Sequence, residues 1–238
     1  MDNVDLDAAK YKNIYVSNTP SASINSVAEH TLGLIISLSH HIIKADKSIR
    51  EGGFHVRNIY IGKELKDKTI GLIGIGNIGK LVARKCALGL NMKVIAYDPF
   101  VKTINENYID KVDTIKEVLQ ESDVVSLHLP YKNSLHHLID ESELKQMKKE
   151  AILLNVARGG LVNEDALYNA LDKEMIWGAA MDCFEQEPTS RSNPLFKLSN
   201  FISTPHMAAH TEESMIKMAV HAAEKIVQFK EENYLGLL

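Results

Sequence analysis

The stretch KTIGLIGIGNIGKLVARKCALGLNMKVIAYDPF, Lys68 to Phe100, reads as strand, glycine turn, helix, strand and acidic residue. Thr69 to Ile73 is an apolar run long enough for a buried strand and too short for a helix. GIGNIG, Gly74 to Gly79, then supplies a G-x-G-x-x-G. In that motif Gly74 permits the tight turn, Gly76 lets the backbone approach a pyrophosphate, and Gly79 lets the new helix pack on the sheet. The helix expected from Asn77 to Leu90 starts with free backbone N–H groups, which favour an anion at Asn77 and Ile78. A second strand, Met92 to Tyr97, ends at Asp98. Asp98 lies about 20 residues past the last glycine, where the fingerprint needs an acid for ribose hydroxyls. A lone glycine motif is a weak signal, but here a strand, a helix and the distant acid all stand in their places.

The composition sets limits around that core. The 238 residues suffice for one large domain or a domain and a half. With 45% hydrophobic and 24% charged residues, the chain has the balance of a soluble globular protein. A net charge of -4, with no long block of one sign, argues against a nucleic-acid partner. Cys86 and Cys183 show neither metal spacing nor a disulfide framework, which suits a reducing compartment. The opening MDNVDLDAAK is acidic where a signal peptide is basic, so a cytoplasmic location is expected. The most apolar run, Leu32 to Ile43, contains Ser37, Ser39, His40 and His41 and is too short to span a bilayer, so no membrane partner is expected.

In chain order, Asp5 to Lys10 resembles a helix end and Asn13 to Ser17 a strand. Ser23 to Glu51 is one helical pattern, capped at Asn25 or Ser26 and stopped by Gly52-Gly53. Its first half is apolar on nearly every face and should be buried between layers or subunits. Residues 54–67 form a polar connector. Beyond Asp98 come a helix over Thr114 to Glu121, a strand over Asp123 to His128 and a helix over Glu141 to Lys149. A strand over Ala151 to Asn155 and a helix over Glu164 to Leu171, capped by Asn163, follow. The last strands are Trp177 to Asp182 and Phe201 to Thr204, before a helix from Ala209 or Thr211 to about Glu232. Apolar strands alternating with helices imply an α/β fold, a doubly wound parallel sheet with ligands outside the carboxyl ends of its strands.

That rule gathers the polar residues at strand ends. Asp98, His128, Arg158, Asp182 and His206 should line one crevice, with Glu187 on the loop just after Asp182. Hydride transfer from a nicotinamide to a carbonyl also needs a proton, and histidine titrates near neutrality. A carboxylate beside it orients the ring and favours its charged form. An arginine can grip a substrate carboxylate by a planar two-point contact. His206, Arg158 and a glutamate of the loop after Asp182, Glu185 or Glu187, fit those roles. His206 and His210 share a spacing but lack the glutamate of a zincin motif, so no metal centre is expected.

The blocks SVAEHT (26–31), GKELKDKTIGLIGIGNIG (62–79), YDPF (97–100), DVVSLHLP (123–130), LLNVARGGLVNEDAL (153–167), AAMDCFEQEP (179–188) and TPHMAAHT (204–211) resemble the D-isomer-specific 2-hydroxyacid dehydrogenase family in its order. The resemblance implies a Rossmann-type NAD-binding domain over 25–210, including an interdomain and dimerisation helix over 25–51. It also implies a remnant of a flavodoxin-like substrate domain over 1–24, and a C-terminal helix over 211–238 returning toward that domain. Most of the substrate domain is expected to lie outside this sequence. The implied cofactor is NAD, and the implied partners are a small 2-oxo or 2-hydroxy acid and a second copy of the chain. The implied catalytic set is Arg158, Glu187 and His206. The implied cofactor contacts are Thr31, Gly74, Gly76, Asn77, Ile78, Gly79, Asp98, His128, Pro130, Val156, Ala157, Arg158, Asp182 and His206.

Asn77 departs from the family, which often places Arg or Lys there, so weaker cofactor binding is expected. The alternative is an NAD-binding module: a remnant without turnover, or a protein like the NAD-sensing corepressors that resemble this family.

Overall fold

The computed structural model describes residues 4–234. Its helices are α1 (Leu6–Tyr11), α2 (Ile24–Ser39), α3 (Ile42–Arg50), α4 (Asn77–Leu90), α5 (Ile115–Glu121), α6 (Glu141–Leu144), α7 (Glu164–Asp172) and α8 (Glu212–Tyr234). Its strands are β1 (Thr69–Ile73), β2 (Lys93–Tyr97), β3 (Asp110–Lys111), β4 (Val124–Leu127), β5 (Ile152–Asn155), β6 (Gly178–Met181) and β7 (Phe201–Ser203). The chain divides into two compact units, Met1–Ser26 with Ala209–Leu238, and Val27–Ala208. Residues 1–3 of the expected remnant and 235–238 of the expected last helix lie outside the described residues.

The larger unit holds a seven-stranded sheet in the order β3-β2-β1-β4-β5-β6-β7. Every pairing is parallel. This is the doubly wound Rossmann arrangement, with β1 and β4 adjacent where the strand order reverses. Strands β4, β5 and β6 are buried along their whole length, as continuous apolar strands covered on both faces must be. Ile73, Val125, Leu127, Leu153, Ala179 and Met181 carry the core, against Leu144, Leu167 and Leu171 from the helices.

Local chemistry sets several boundaries where the sequence puts them. Thr114 caps α5 by accepting from the Glu117 N–H, and Asn163 caps α7 by accepting from the Asp165 and Ala166 N–H groups. Asn91, in the left-handed region, closes α4.

Four expectations give way. The single helix expected to Glu51 breaks at His40-His41, where His41 takes φ 54 and a new helix starts. Here the connector crosses: the Lys63 N–H donates to the Ser39 carbonyl at 2.8 Å, and a side chain at Gly62 would lie 2.7 Å from that same oxygen. The carbonyl of Ser39 is thus taken up by tertiary structure. The same helix begins at Ile24, before its expected caps, and the Ser26 hydroxyl donates to the Ser23 carbonyl instead. The helix expected over 141–149 is only α6, opened by a capping box between Asp140 and Glu143 and ended at Lys145. Asn13 to Ser17 is not a strand; Asn13 takes φ 53, and the Ile14 N–H donates to the Ala9 carbonyl at the end of α1. A strand needs a partner for its backbone groups, and the smaller unit is helical. In that unit the rings of Tyr15 and Phe229 stack with centroids 4.1 Å apart. Strand β3 is too short and polar to announce itself in the sequence. No helix among the described residues is long and apolar enough to cross a membrane.

Candidate active site

The glycine turn leaves β1 at Gly74, which takes φ 95. A side chain there would lie 2.4 Å from the His128 carbonyl oxygen, and one at Gly79 would lie 2.4 Å from the Gly74 carbonyl oxygen. Around Gly76 the space is empty: an added carbon would meet nothing within 4 Å. Gly74 and Gly79 are therefore demanded by the fold, whereas Gly76 leaves an opening. Gly76 is the N-cap of α4 and offers no side chain to the first N–H groups of that helix. Gly76 and Asn77 are exposed and Ile78 half-buried, so these donors face solvent at the dipole's positive end. Asp98 closes the turn from the side, accepting from the Ile75 N–H at 3.1 Å and the Phe100 N–H at 2.9 Å.

His128 and Pro130 follow β4, on the other side of the turn. The His128 imidazole Nε2 lies 2.9 Å from the Ser126 hydroxyl. Burial pushes its pKa down to about 4, so the ring is neutral around pH 7.

Arg158 stands on the turn after β5. Asn155 shapes that turn: its amide donates to the Arg158 carbonyl at 2.8 Å, and its carbonyl oxygen accepts from the Ala157 N–H at 3.2 Å. At Gly159 the turn meets the loop after β6 so closely that a side chain would fall 1.8 Å from the Phe184 carbonyl oxygen. This contact brings the loops carrying Arg158 and Glu187 together. Val156 and Ala157 are buried at the base of the turn.

His206 and Glu187 meet directly. The imidazole Nδ1 donates to Glu187 Oε2 at 2.7 Å, and a carboxylate acceptor means that Nδ1 carries the proton. Glu187 is itself held, because its Oε1 accepts from the Phe184 N–H at 2.9 Å. His206 takes φ 50, an uncommon conformation for a residue with a side chain. The protein imposes it through Asp182. The His206 N–H donates to the Asp182 carbonyl at 2.8 Å, while the Asp182 carboxylate accepts from the Met207 N–H at 2.9 Å and the Ala208 N–H at 3.0 Å. The Thr204 hydroxyl adds a third donor at 2.6 Å. Having given its proton to Asp182, that hydroxyl receives one from His30 Nε2 at 3.0 Å.

Asp182 and Thr31 both have partners within the protein. Asp182 is 1% exposed and three donors engage its two oxygens, so it anchors the 204–208 turn. Such a buried carboxylate is tolerable because charge-assisted donors replace its water. Thr31 is fully buried, with its hydroxyl donating to the Val27 carbonyl one turn back at 2.7 Å. His30, Asn155 and Thr204 shape the site without having been singled out by the sequence. Each lies in a block already matched, and only the fold shows what its polar atoms touch. Cavities of about 470, 340 and 620 Å³ cluster around Trp177 at the opposite ends of the strands and share none of these residues.

The carboxyl ends of β1, β2, β4, β5, β6 and β7 therefore carry an anion-accepting turn, an acid beside it, an arginine and a histidine–carboxylate pair. Residues 32–208 match the family described as D-isomer specific 2-hydroxyacid dehydrogenase, NAD binding domain. The chain is 40% identical over 228 residues to a D-3-phosphoglycerate dehydrogenase of Archaeoglobus fulgidus, covering 95% of this chain and 43% of that protein. It is 41% identical over 233 residues to a hydroxypyruvate reductase of Thermotoga maritima, covering 97% and 74% respectively. Among solved structures, a D-lactate dehydrogenase from Aquifex aeolicus complexed with NAD and lactic acid superposes with a TM-score of 0.88 at 33% identity, covering 98% of this chain and 74% of that one. The chain spans less than half the length of the first of these relatives and about three quarters of the second. It belongs to the D-isomer-specific 2-hydroxyacid dehydrogenase family, and residues 32–208 are its NAD-binding domain.

Proposed function

We propose that this chain carries the cofactor-binding and proton-handling part of an NAD-dependent oxidoreductase that interconverts a D-2-hydroxy acid and its 2-oxo acid. The observation that carries this reading is the 2.7 Å bond between His206 and Glu187, set on the strand ends beside Arg158. The exposed turn at Gly76 to Ile78, open where a Cβ would stand, fits a pyrophosphate, and Asp98 beside it fits the ribose hydroxyls. When bound there, NAD supplies the hydride chemistry. The residues do the rest. Glu187 holds Nδ1 and so aims Nε2 outward, where it gives a proton to the carbonyl oxygen in reduction and takes it back in oxidation. Arg158 holds the substrate carboxylate and polarises the neighbouring carbonyl.

The grouping of the two chain ends in one unit supports residues 1–24 as a remnant of a second, substrate domain and 211–238 as a helix returning toward it, as the family resemblance implies. Two free buried cysteines suit the cytoplasm. Ile42, Ile43, Ile49, Phe54, Ile59 and Ile61 are exposed large apolar side chains on α3 and the connector after it, which supports a homodimer.

The test is NADH oxidation with glyoxylate, hydroxypyruvate, pyruvate and phosphohydroxypyruvate, comparing the wild-type chain with His206→Asn. At least one acid should be reduced, and the variant should lose roughly 10²–10⁴-fold in turnover with NADH affinity little changed. NADH binding without turnover of any acid would favour the binding-module alternative. A variant keeping more than about a tenth of the rate would remove His206 from its role.

A further inference from the structure

We propose that Cys183, Glu187 and His206 form a chelating site for a thiophilic divalent cation of the Zn²⁺ or Cd²⁺ class, and that this ion switches the proton-handling pair off. A thiol sulfur, a carboxylate oxygen and an imidazole nitrogen from these residues all lie within 4.8 Å of one another. Zinc takes sulfur at about 2.3 Å and nitrogen or oxygen at about 2.0–2.2 Å, which puts tetrahedral ligands about 3.3–3.6 Å apart. The remaining gap, on the order of 1 Å, falls to the two side chains able to move. His206 and Glu187 are 50% and 38% exposed, while Cys183 lies buried at the floor. The open side leaves a fourth position for water.

The chemistry of the set selects the ion. Thiolate and imidazole favour zinc and its soft relatives, whereas magnesium and calcium want oxygen alone. Burial, assisted by Asp182 and Glu187 and opposed by Arg158, pushes the Cys183 thiol up to about 12, so it is protonated at neutrality. A protonated thiol is a poor nucleophile toward alkylating or oxidising agents. A cation can still displace its proton: one S–H bond breaks, one sulfur–metal bond forms, and one H⁺ leaves to solvent. Among the described residues, the hydrogen bond that the thiol gives up is a weak one to the Ala157 carbonyl at 3.5 Å. The ion also takes a Glu187 oxygen and His206 Nδ1; the neutral ring's proton passes from Nδ1 to Nε2, and the bond between the two side chains is lost. Binding follows from this geometry alone; inhibition rests on the proposed function above.

The experiment is a Cd²⁺ titration of the whole chain, followed by the ultraviolet charge-transfer band of a cadmium–thiolate bond and by calorimetry. One Cd²⁺ per chain should bind and give the band. Cys183→Ser and Cys183→Ala should lose it, and Cys86→Ser should keep it. His206→Asn and Glu187→Gln should keep the band but weaken affinity about tenfold or more. Persistence of the band in both Cys183 variants, or unchanged affinity in both His206→Asn and Glu187→Gln, would overturn the site. If Cd²⁺ binds as stated and blocks NADH oxidation over the same range, both claims stand. If it binds as stated in a chain that reduces no acid, the site stands and the activity reading falls.

Discussion

Asp98 shows how a single residue acquires a role from its surroundings. Its two oxygens accept from Ile75 and Phe100, so the carboxylate cannot swing away from the glycine turn. A ribose carrying only hydroxyls can donate to it, but a 2′-phosphate meets a like charge at close range. Two unit charges 4 Å apart interact by about 4 kcal/mol at an effective dielectric of 20, and about 1.4 kcal/mol is tenfold in affinity. Even after heavy screening, NADH should bind at least about tenfold more tightly than NADPH, and Asp98→Ser should narrow that gap. Fluorescence titration with the two cofactors measures both, and equal affinities in the wild-type chain would refute the role. Asp98 was legible in the sequence because a turn, one helix and one strand fix its distance from Gly79. Asp182 was only half legible. Its place after β6 followed from the pattern, but nothing in the pattern said that Thr204, Met207 and Ala208 would use its oxygens. Chain order reports where a residue stands; competition for its polar atoms is settled by segments distant in sequence.

The same division holds for whole elements. Those bounded by their own backbone chemistry were readable: α4 starts after Gly76 and ends at Asn91, and α7 starts at Asn163. Those bounded by tertiary contacts were not. The break between α2 and α3 depends on the connector at Gly62 and Lys63 meeting Ser39. Neighbouring side chains on a regular helix or strand diverge, yet the rings of His136 and His137 stack at 3.7 Å where His137 takes φ 54. The glycine turn itself yields a prediction that separates folding from binding. Gly79→Ala puts a carbon 2.4 Å from the Gly74 carbonyl, a backbone atom that cannot yield without moving β1 or α4. Overpacking of this kind costs typically 1–3 kcal/mol. Gly76→Ala meets nothing within 4 Å in the protein and keeps an ordinary φ of -69. Its stability should stay within about 0.5 kcal/mol of wild type by urea unfolding, while NADH affinity falls at least tenfold because the new methyl group fills the opening for the pyrophosphate. If Gly76→Ala bound NADH as tightly as wild type, the cofactor could not lie where the turn invites it.

At the scale of the molecule, the apolar content of the helical region 24–50 has two different uses. On α2, Val27, Ala28, Leu34, Ile35 and Leu38 are buried within the chain. Leu38 reaches 3.3 Å from where a side chain on Gly178 of β6 would stand. The apolar half expected to lie between layers or subunits is thus partly buried within the chain, with Leu38 against the sheet. The surplus lies further on: α3 and the connector expose Ile42, Ile43 and Ile49, then Phe54 at 70%, Ile59 at 68% and Ile61 at 74%. A monomer gains nothing by presenting so many large side chains to water within one short segment, whereas a second copy could cover them. A two-fold contact is self-complementary, so one patch serves both chains. Light scattering should give twice the chain mass of 26.6 kDa. Phe54→Glu together with Ile61→Lys should shift the protein toward monomer at micromolar concentration, because charges buried without partners at an interface cost several kcal/mol. Both positions are exposed in the single chain, so the folded monomer should keep its circular dichroism. A wild-type chain that runs at the monomer mass would show that this surface meets something other than its own copy.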